Sequence, residues 1–191
     1  MFLEDITQII IGLVIKRKEA KYKSPNTRQY EIFNLKSYEE KISYDLLYSE
    51  EDLENFKAKK GDILLRLAFP LTIIEVDDEI EGKIINNQYC IIRMSSIVNR
   101  TYNIDFIKWF LESNKAKHQF EKMLIGTTIK SVPVSELRKL EIPDLNLKEQ
   151  MQISQIVNTW NKQKKLYKKM LEQKEKYYDS VINKLIKGGN K

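Results

Sequence analysis

One cysteine and one histidine are found in 191 residues. With Cys90 alone, the fold has no internal disulfide to draw on. With His118 alone and no cysteine cluster, a zinc site has too few ligands. A histidine-based hydrolase triad could use only His118, and no nucleophile-elbow pattern accompanies it. A Walker phosphate loop and a glycine-rich dinucleotide fingerprint are both missing. So is a glycine-rich turn after a strand that would hold a methyl-donor cofactor. No apolar run approaches the roughly 18–20 residues of a spanning helix. Residues 6–15 are too few, and Asp5 stands where a signal peptide would carry positive charge. These absences lead to the expectation of a cytoplasmic protein that makes no membrane contact.

Apolar residues make up 42% of the chain, enough for a core, and charged residues 31%, enough for a soluble surface. The net charge of +6 is unevenly placed. Through Asn146 there are 22 Lys and Arg against 23 Asp and Glu, a net of −1; from Leu147 onward, 11 Lys face 4 acids, a net of +7. Within the first part Lys16, Arg17, Lys18, Lys21, Lys23 and Arg28 form a basic run relieved only by Glu19, and acidic stretches follow at residues 50–54 and 75–81. Local basic patches on a neutral body suit contact with nucleic acid at one surface, although charge runs are more often simply solvated.

The C-terminal part carries a strict repeat. Ile153, Val157, Trp160, Tyr167, Leu171, Tyr178, Val181 and Leu185 recur at steps of four and three, with Lys164 and Lys174 at the two broken positions and no Gly or Pro between them. On a helix this makes a narrow stripe that another helix must cover. A helix of some 40 residues is about 60 Å long, against about 35–40 Å for a globule of 140 residues, so its own domain cannot cover it. Trp160, Tyr167 and Tyr178 are bulky for a parallel two-stranded seam, and an antiparallel pairing is easier to fill. Lys164 and Lys174 would snorkel from the seam or meet acidic groups on a partner.

Pro143 marks a boundary, because it disfavours helix at Ile142. Asn146 with Glu149 three residues later reads as a capping box. We therefore expect one domain over residues 1–145 and a helix over 146–188, stopped by Gly188 and Gly189. The first domain reads as mixed. Residues 30–35, 61–67, 83–85 and 89–93 are strand-like, as are 129–134. Residues 104–121 read as one amphipathic helix in which Ile104, Ile107, Phe110, Leu111 and Phe120 share a face. The expected fold class is α+β.

Several segments, taken in order, carry a resemblance. Gly126–Thr127–Thr128–Ile129–Lys130 is followed by Leu137–Arg138–Lys139–Leu140–Glu141–Ile142–Pro143 and then by Glu149–Gln150–Met151–Gln152–Ile153. Upstream stand Lys60–Gly61–Asp62–Ile63–Leu64 and the turn Asn86–Asn87–Gln88 before Ile91–Ile92–Arg93. Together they resemble one target recognition domain and one long helix of the DNA specificity subunits of type I restriction–modification systems. Full-size members carry two of each, so the chain is similar to a half-subunit. Two departures stand out. The link at Asp144–Asn146 has less proline than is usual. After Leu64, where small and polar residues are usual, this chain has Leu65–Arg66–Leu67–Ala68–Phe69–Pro70.

The resemblance implies a subunit without a catalytic centre. Its recognition domain would read a short sequence in double-stranded DNA. Its helix would dock methyltransferase (modification) subunits and, indirectly, the restriction subunit. It would also pair antiparallel with a second copy as a coiled coil, giving a homodimer that faces a bipartite target. No cofactor is expected on this chain; S-adenosylmethionine, and ATP with Mg for restriction, would belong to partner subunits. Lys and Arg neutralise phosphates, and Arg, Asn and Gln can form bidentate bonds with base edges. On that basis Lys16, Arg17, Lys18, Lys21, Lys23 and Lys130 are candidate phosphate contacts, and Arg66, Asn87, Gln88 and Thr128 candidate base readers. Two other readings compete. One is a coiled-coil adaptor that binds only protein. The other is a metal-dependent nuclease built on Asp62, Glu81 and Lys83, whose spacing imitates a permissive Asp…Glu-x-Lys pattern.

Overall fold

The computed structural model describes residues 1–20, 24–94, 102–126, 128 and 130–188. Its centre is an antiparallel sheet of four strands: β1 (Thr7–Ile11), β4 (Ile63–Arg66), β5 (Ile73–Glu75) and β6 (Tyr89–Met94), in the order β1-β6-β4-β5. β4 and β6 are apolar on both faces, and period two divides them. Ile63, Leu65, Cys90 and Ile92 point into one core, while Leu64, Tyr89 and Ile91 point into another. The first core is closed by α1 (Leu3–Ile6), α3 (Ile104–Glu112), α4 (Asn114–Met123) and α5 (Val134–Arg138). Phe33, Val76, Ile80 and Ile85 close the second, with Tyr38 from α2 (Leu35–Glu40) packed against it. A separate ribbon pairs β2 (Arg28–Ile32) with β3 (Asp45–Ser49) over a third cluster of Leu13, Tyr30, Leu47, Leu53 and Ile84.

Four expectations need correction. Residues 104–121 are not one helix. The chain breaks at Ser113, which is extended (φ −71°, ψ 157°) and whose Oγ accepts the Ala116 amide at 3.2 Å. The apolar period runs through this break because Phe110, Leu111, Ala116 and Phe120 all reach the same core. Residues 83–85 form no strand; Ile84 makes only isolated bridges, to Ile32 and Lys57, because its neighbours belong to different elements. The strand expected at 30–35 ends at Ile32, and Asn34 caps α2 by accepting the Ser37 amide at 2.9 Å. In the run 129–134, Ile129 lies outside the described residues, Ser131 makes isolated bridges to Ala68 and Ile125, and Val134 opens α5 behind Pro133.

The last element, α6 (Leu147–Gly188), has 42 residues, about 63 Å. The expected capping box is present: Asn146 Oδ1 accepts the Glu149 amide, and Glu149 Oε2 accepts the Asn146 amide, both at 3.0 Å. Only the first three turns dock on the sheet domain, against α3. From Asn158 to Ser180 every residue is exposed. The fold is therefore a mixed sheet domain followed by one long projecting helix. No described helix is long and apolar enough to cross a membrane.

Candidate nucleic-acid interface

The register of the sheet brings Arg66 opposite Tyr89, and Ile11 opposite Cys90, at one end. Three loops meet there. The first follows β4, where the Arg66 amide donates to Thr72 O at 2.9 Å and the Leu67 amide to Gln88 O at 2.9 Å. The second is the turn before β6. Asn86 is its structural residue: its Oδ1 accepts the Gln88 amide at 3.0 Å and its Nδ2 donates to Phe33 O at 3.3 Å. That leaves the side chains of Asn87 and Gln88 exposed. β1 closes on this turn through Gly12. A Cβ at this position would lie 2.0 Å from Asn86 O, so only glycine permits the approach. The third loop is held by the Phe69 amide on Lys130 O (2.8 Å) and the Val132 amide on Leu67 O (2.9 Å).

Between them lies an open groove of about 660 Å³ lined by Ile11, Arg66, Phe69, Asn87, Gln88 and Ser131, among others. Three of the four expected base readers thus line one groove. Arg66 is half-buried, and its Nε is buried without a hydrogen-bond partner. Lys130 and Thr128 are exposed on the loop that borders the groove. A half-buried guanidinium, two exposed carboxamides and a lysine can together bind an anionic polymer with hydrogen-bonding edges.

The basic run lies along the path that leaves the same turn. The Leu13 amide donates to Ile85 O, the Asn87 amide to Leu13 O, and a 3₁₀ turn follows at Ile15–Arg17. Lys16 and Arg17 are exposed and make no ion pair among the described residues. Lys18 is held by Glu51 at 2.6 Å, and Arg28 lies 3.7 Å from Asp52. Lys21 and Lys23 lie outside the described residues.

The acidic stretch is also largely paired internally. Lys108 binds Glu75 at 2.8 Å, Lys41 binds Glu79, and Lys60 binds Asp78. Burial, and then its hydrogen bond to Asp77, push the Tyr38 hydroxyl up to about 12; the Lys41 ammonium holds Glu79 below the usual carboxylate range. Two of the three residues of the nuclease pattern are committed elsewhere. Asp62 is buried and accepts Arg93 Nε at 2.8 Å and Nη2 at 2.6 Å, while Lys83 pairs with Glu31 at 3.0 Å. Among the described residues no group of three or more His, Cys, Asp or Glu could hold a metal ion.

Neither a family model nor a curated protein matches the sequence. Solved structures do match the fold. The S subunit of the type I restriction–modification system of M. genitalium superposes with TM-score 0.55 at 16% identity, over 85% of this chain and 38% of that one. The HsdS subunit of Thermoanaerobacter tengcongensis gives 0.60 at 15%, over 86% and 42%. A chain from a study of complex assembly and conformational transition in the type I system gives 0.62 at 15%, over 89% and 43%. The fold is that of a type I specificity subunit. The protein spans about two fifths of each of these chains. A match over 85–89% of 191 residues exceeds residues 1–145, so the specificity-subunit fold takes in part of α6 as well.

On α6 the expected seam divides into two parts. Ile153 and Val157 are half-buried, and Ile153 packs against the first core. Trp160, Tyr167, Leu171, Tyr178 and Leu185 are exposed, and Val181 is half-buried. Ile156, Leu166, Met170 and Tyr177 are exposed beside them, so the apolar face is wider than the seam alone.

Sequence reading missed the joint at the root of this helix. Gln150 is fully buried; its Oε1 accepts the Asn103 amide at 2.9 Å and its Nε2 donates to Leu145 O at 2.8 Å. Ser154 Oγ donates to Asn103 Oδ1 at 3.0 Å, and Asn158 Nδ2 to Asp105 Oδ2 at 3.2 Å. Gln150 belongs to the quoted motif, but the motif does not reveal its partner on α3. Phe69, named in the sequence only as part of a departure from the family pattern, is exposed and lines the groove.

Proposed function

We propose that this chain is the non-catalytic DNA-reading subunit of a type I restriction–modification complex. Residues 1–145 form the target recognition domain and 146–188 the spacer and dimerisation helix. The observation that carries the reading is the coincidence of two things: the specificity-subunit fold, and a groove in which Arg66, Asn87 and Gln88 converge with no internal partners recorded for their side chains. Arg66 and the two carboxamides read base edges, with Thr128 beside them, while Lys130 and the Lys16–Lys18 run hold phosphates. Lys18 serves last of these, because Glu51 already neutralises it.

Two copies pair antiparallel through α6 about a two-fold axis and present identical heads to an inverted, two-part target. The breadth of the apolar face supports a second contact besides that pairing, since a two-stranded seam needs only the narrow stripe. Methyltransferase subunits fit there, and they supply S-adenosylmethionine; the restriction subunit, with ATP and Mg, joins through them.

The test is binding to a random duplex pool, with and without the methyltransferase subunits, across a salt series. Enrichment of one two-part motif supports the reading. Equal binding of all sequences at every salt overturns it and leaves the protein-binding adaptor.

A further inference from the structure

Phe69 is 60% exposed, more than any other phenylalanine among the described residues; Phe2, next after it, is 45% exposed. The ring lies in the lining of the same groove as Arg66, Asn87 and Gln88, so a partner seated there would cover it. The loop that carries it is well tied. Its own amide bonds Lys130 O, the Leu67 amide bonds Gln88 O, and the Val132 amide bonds Leu67 O. Pro70 follows and fixes the backbone further. The ring is thus presented from a loop whose backbone is hydrogen-bonded to both neighbouring segments.

Its surroundings narrow the choice of partner. The half-buried Arg66 side chain and the exposed Asn87 and Gln88 carboxamides line the same groove, and Lys130 is exposed at its border. An apolar partner would cover Ile11, Phe69 and the groove's other apolar residues but would strand the Asn87 and Gln88 carboxamides and the Lys130 ammonium. A duplex meets all of them, with phosphates and base edges for the polar groups and base faces for the ring. We infer that Phe69 enters the target duplex as an apolar wedge, partly unstacking one base step between contacts made by Arg66 and Lys130. The inference rests on the DNA-reading function and adds to it a specificity-determining residue that works by deformation and not by hydrogen bonding.

The experiment uses the full chain with its methyltransferase partners on duplexes carrying the motif enriched from the random pool. 2-Aminopurine is placed at each position in turn, apart from the methylated base. The native chain should raise fluorescence at one step. Phe69→Ala should abolish that rise and weaken specific binding roughly 10- to 100-fold, without changing the slope of log K against log salt. Phe69→Leu should restore part of both, and Lys130→Ala should lower the slope by about 0.9 while keeping the rise. The wedge is overturned if Phe69→Ala binds the motif as the native chain does. It is equally overturned if that variant loses only assembly with the methyltransferase, which would place the ring at a protein interface. If the native chain enriches no motif, the DNA-reading function falls with it, a result distinct from a native preference that survives Phe69→Ala.

Discussion

The Asp62 carboxylate accepts two hydrogen bonds from Arg93 and a third from the Lys59 amide at 2.8 Å, with its side chain 4% exposed. Removing it leaves the Arg93 charge in place without its counter-ion. Asp62→Ala should therefore lower stability by about 3 kcal/mol, near the lower end for a broken buried pair because Arg93 is still partly wet. Urea unfolding would show the loss as a lower midpoint with an unchanged slope. Cys90 gives a second prediction. Burial pushes its thiol up to about 12, so the folded state favours the neutral form. Its contribution to stability is complete below the ordinary thiol value, about 9, and is lost as pH rises from there through about 12. At pH 8 a thiol reagent should label Cys90 only as fast as the domain opens; rapid native labelling would contradict this burial. At this scale the sequence was legible where chemistry is local. Asp62 in its Gly-Asp turn and the exposed Asn87–Gln88 pair stand where the motifs put them. Phe69 did not follow, because whether a ring is buried depends on contacts between residues distant in sequence.

At the scale of elements, the joint between α3 and α6 decides how the helix leaves its domain. Asn103 caps α3 by accepting the Phe106 amide at 3.0 Å, and the same residue receives Ser154 and donates its backbone amide to Gln150. One residue thus fixes the start of one helix and the direction of the other. Gln150→Leu strands the Asn103 amide and Leu145 O, both only part-buried, and should cost about 1–3 kcal/mol. Ser154→Ala, which removes one hydroxyl shared between Asn103 Oδ1 and Gln150 O, should cost about 1 kcal/mol. With spin labels at exposed Lys117 and Lys168, both variants should broaden the inter-label distance distribution; an unaltered distribution would show that apolar packing alone sets the angle. The start of α6 was readable because a capping box is a four-residue pattern. The break at Ser113 was not, since both helices bury their apolar residues in one core and the period passes through unbroken. The extended segment around Ile84 failed for a related reason: alternation shows that a segment is extended, but not whether its partners form one ladder or lie on three elements.

For the whole molecule, the groove and the root of α6 occupy different ends of the sheet. Arg66 and Tyr89 mark the first end. Thr7 and Met94 mark the other, next to α1, where Met1 O accepts the Ile142 amide just before the link to α6. Under the proposed function this separates the reading end from the pairing helix, and α6 would act as a ruler between two heads. Because Ile153 and Val157 are half-buried at the docked root, the free seam begins at Trp160, and a change in ruler length must be made beyond it. Deleting residues 164–170 joins Trp160 to Leu171 in the same heptad phase and shortens the helix by about 10.5 Å, close to three base pairs. Three base pairs also turn the second half-site by about a third of a helical turn, so the original spacing would present it on the wrong face of the DNA. If two copies pair as proposed, the shortened chain should keep each half-site sequence and prefer a spacer shorter by about three base pairs, read by selection from duplexes with randomised spacer length. A retained native spacer would mean that the methyltransferase subunits, and not α6, set the separation.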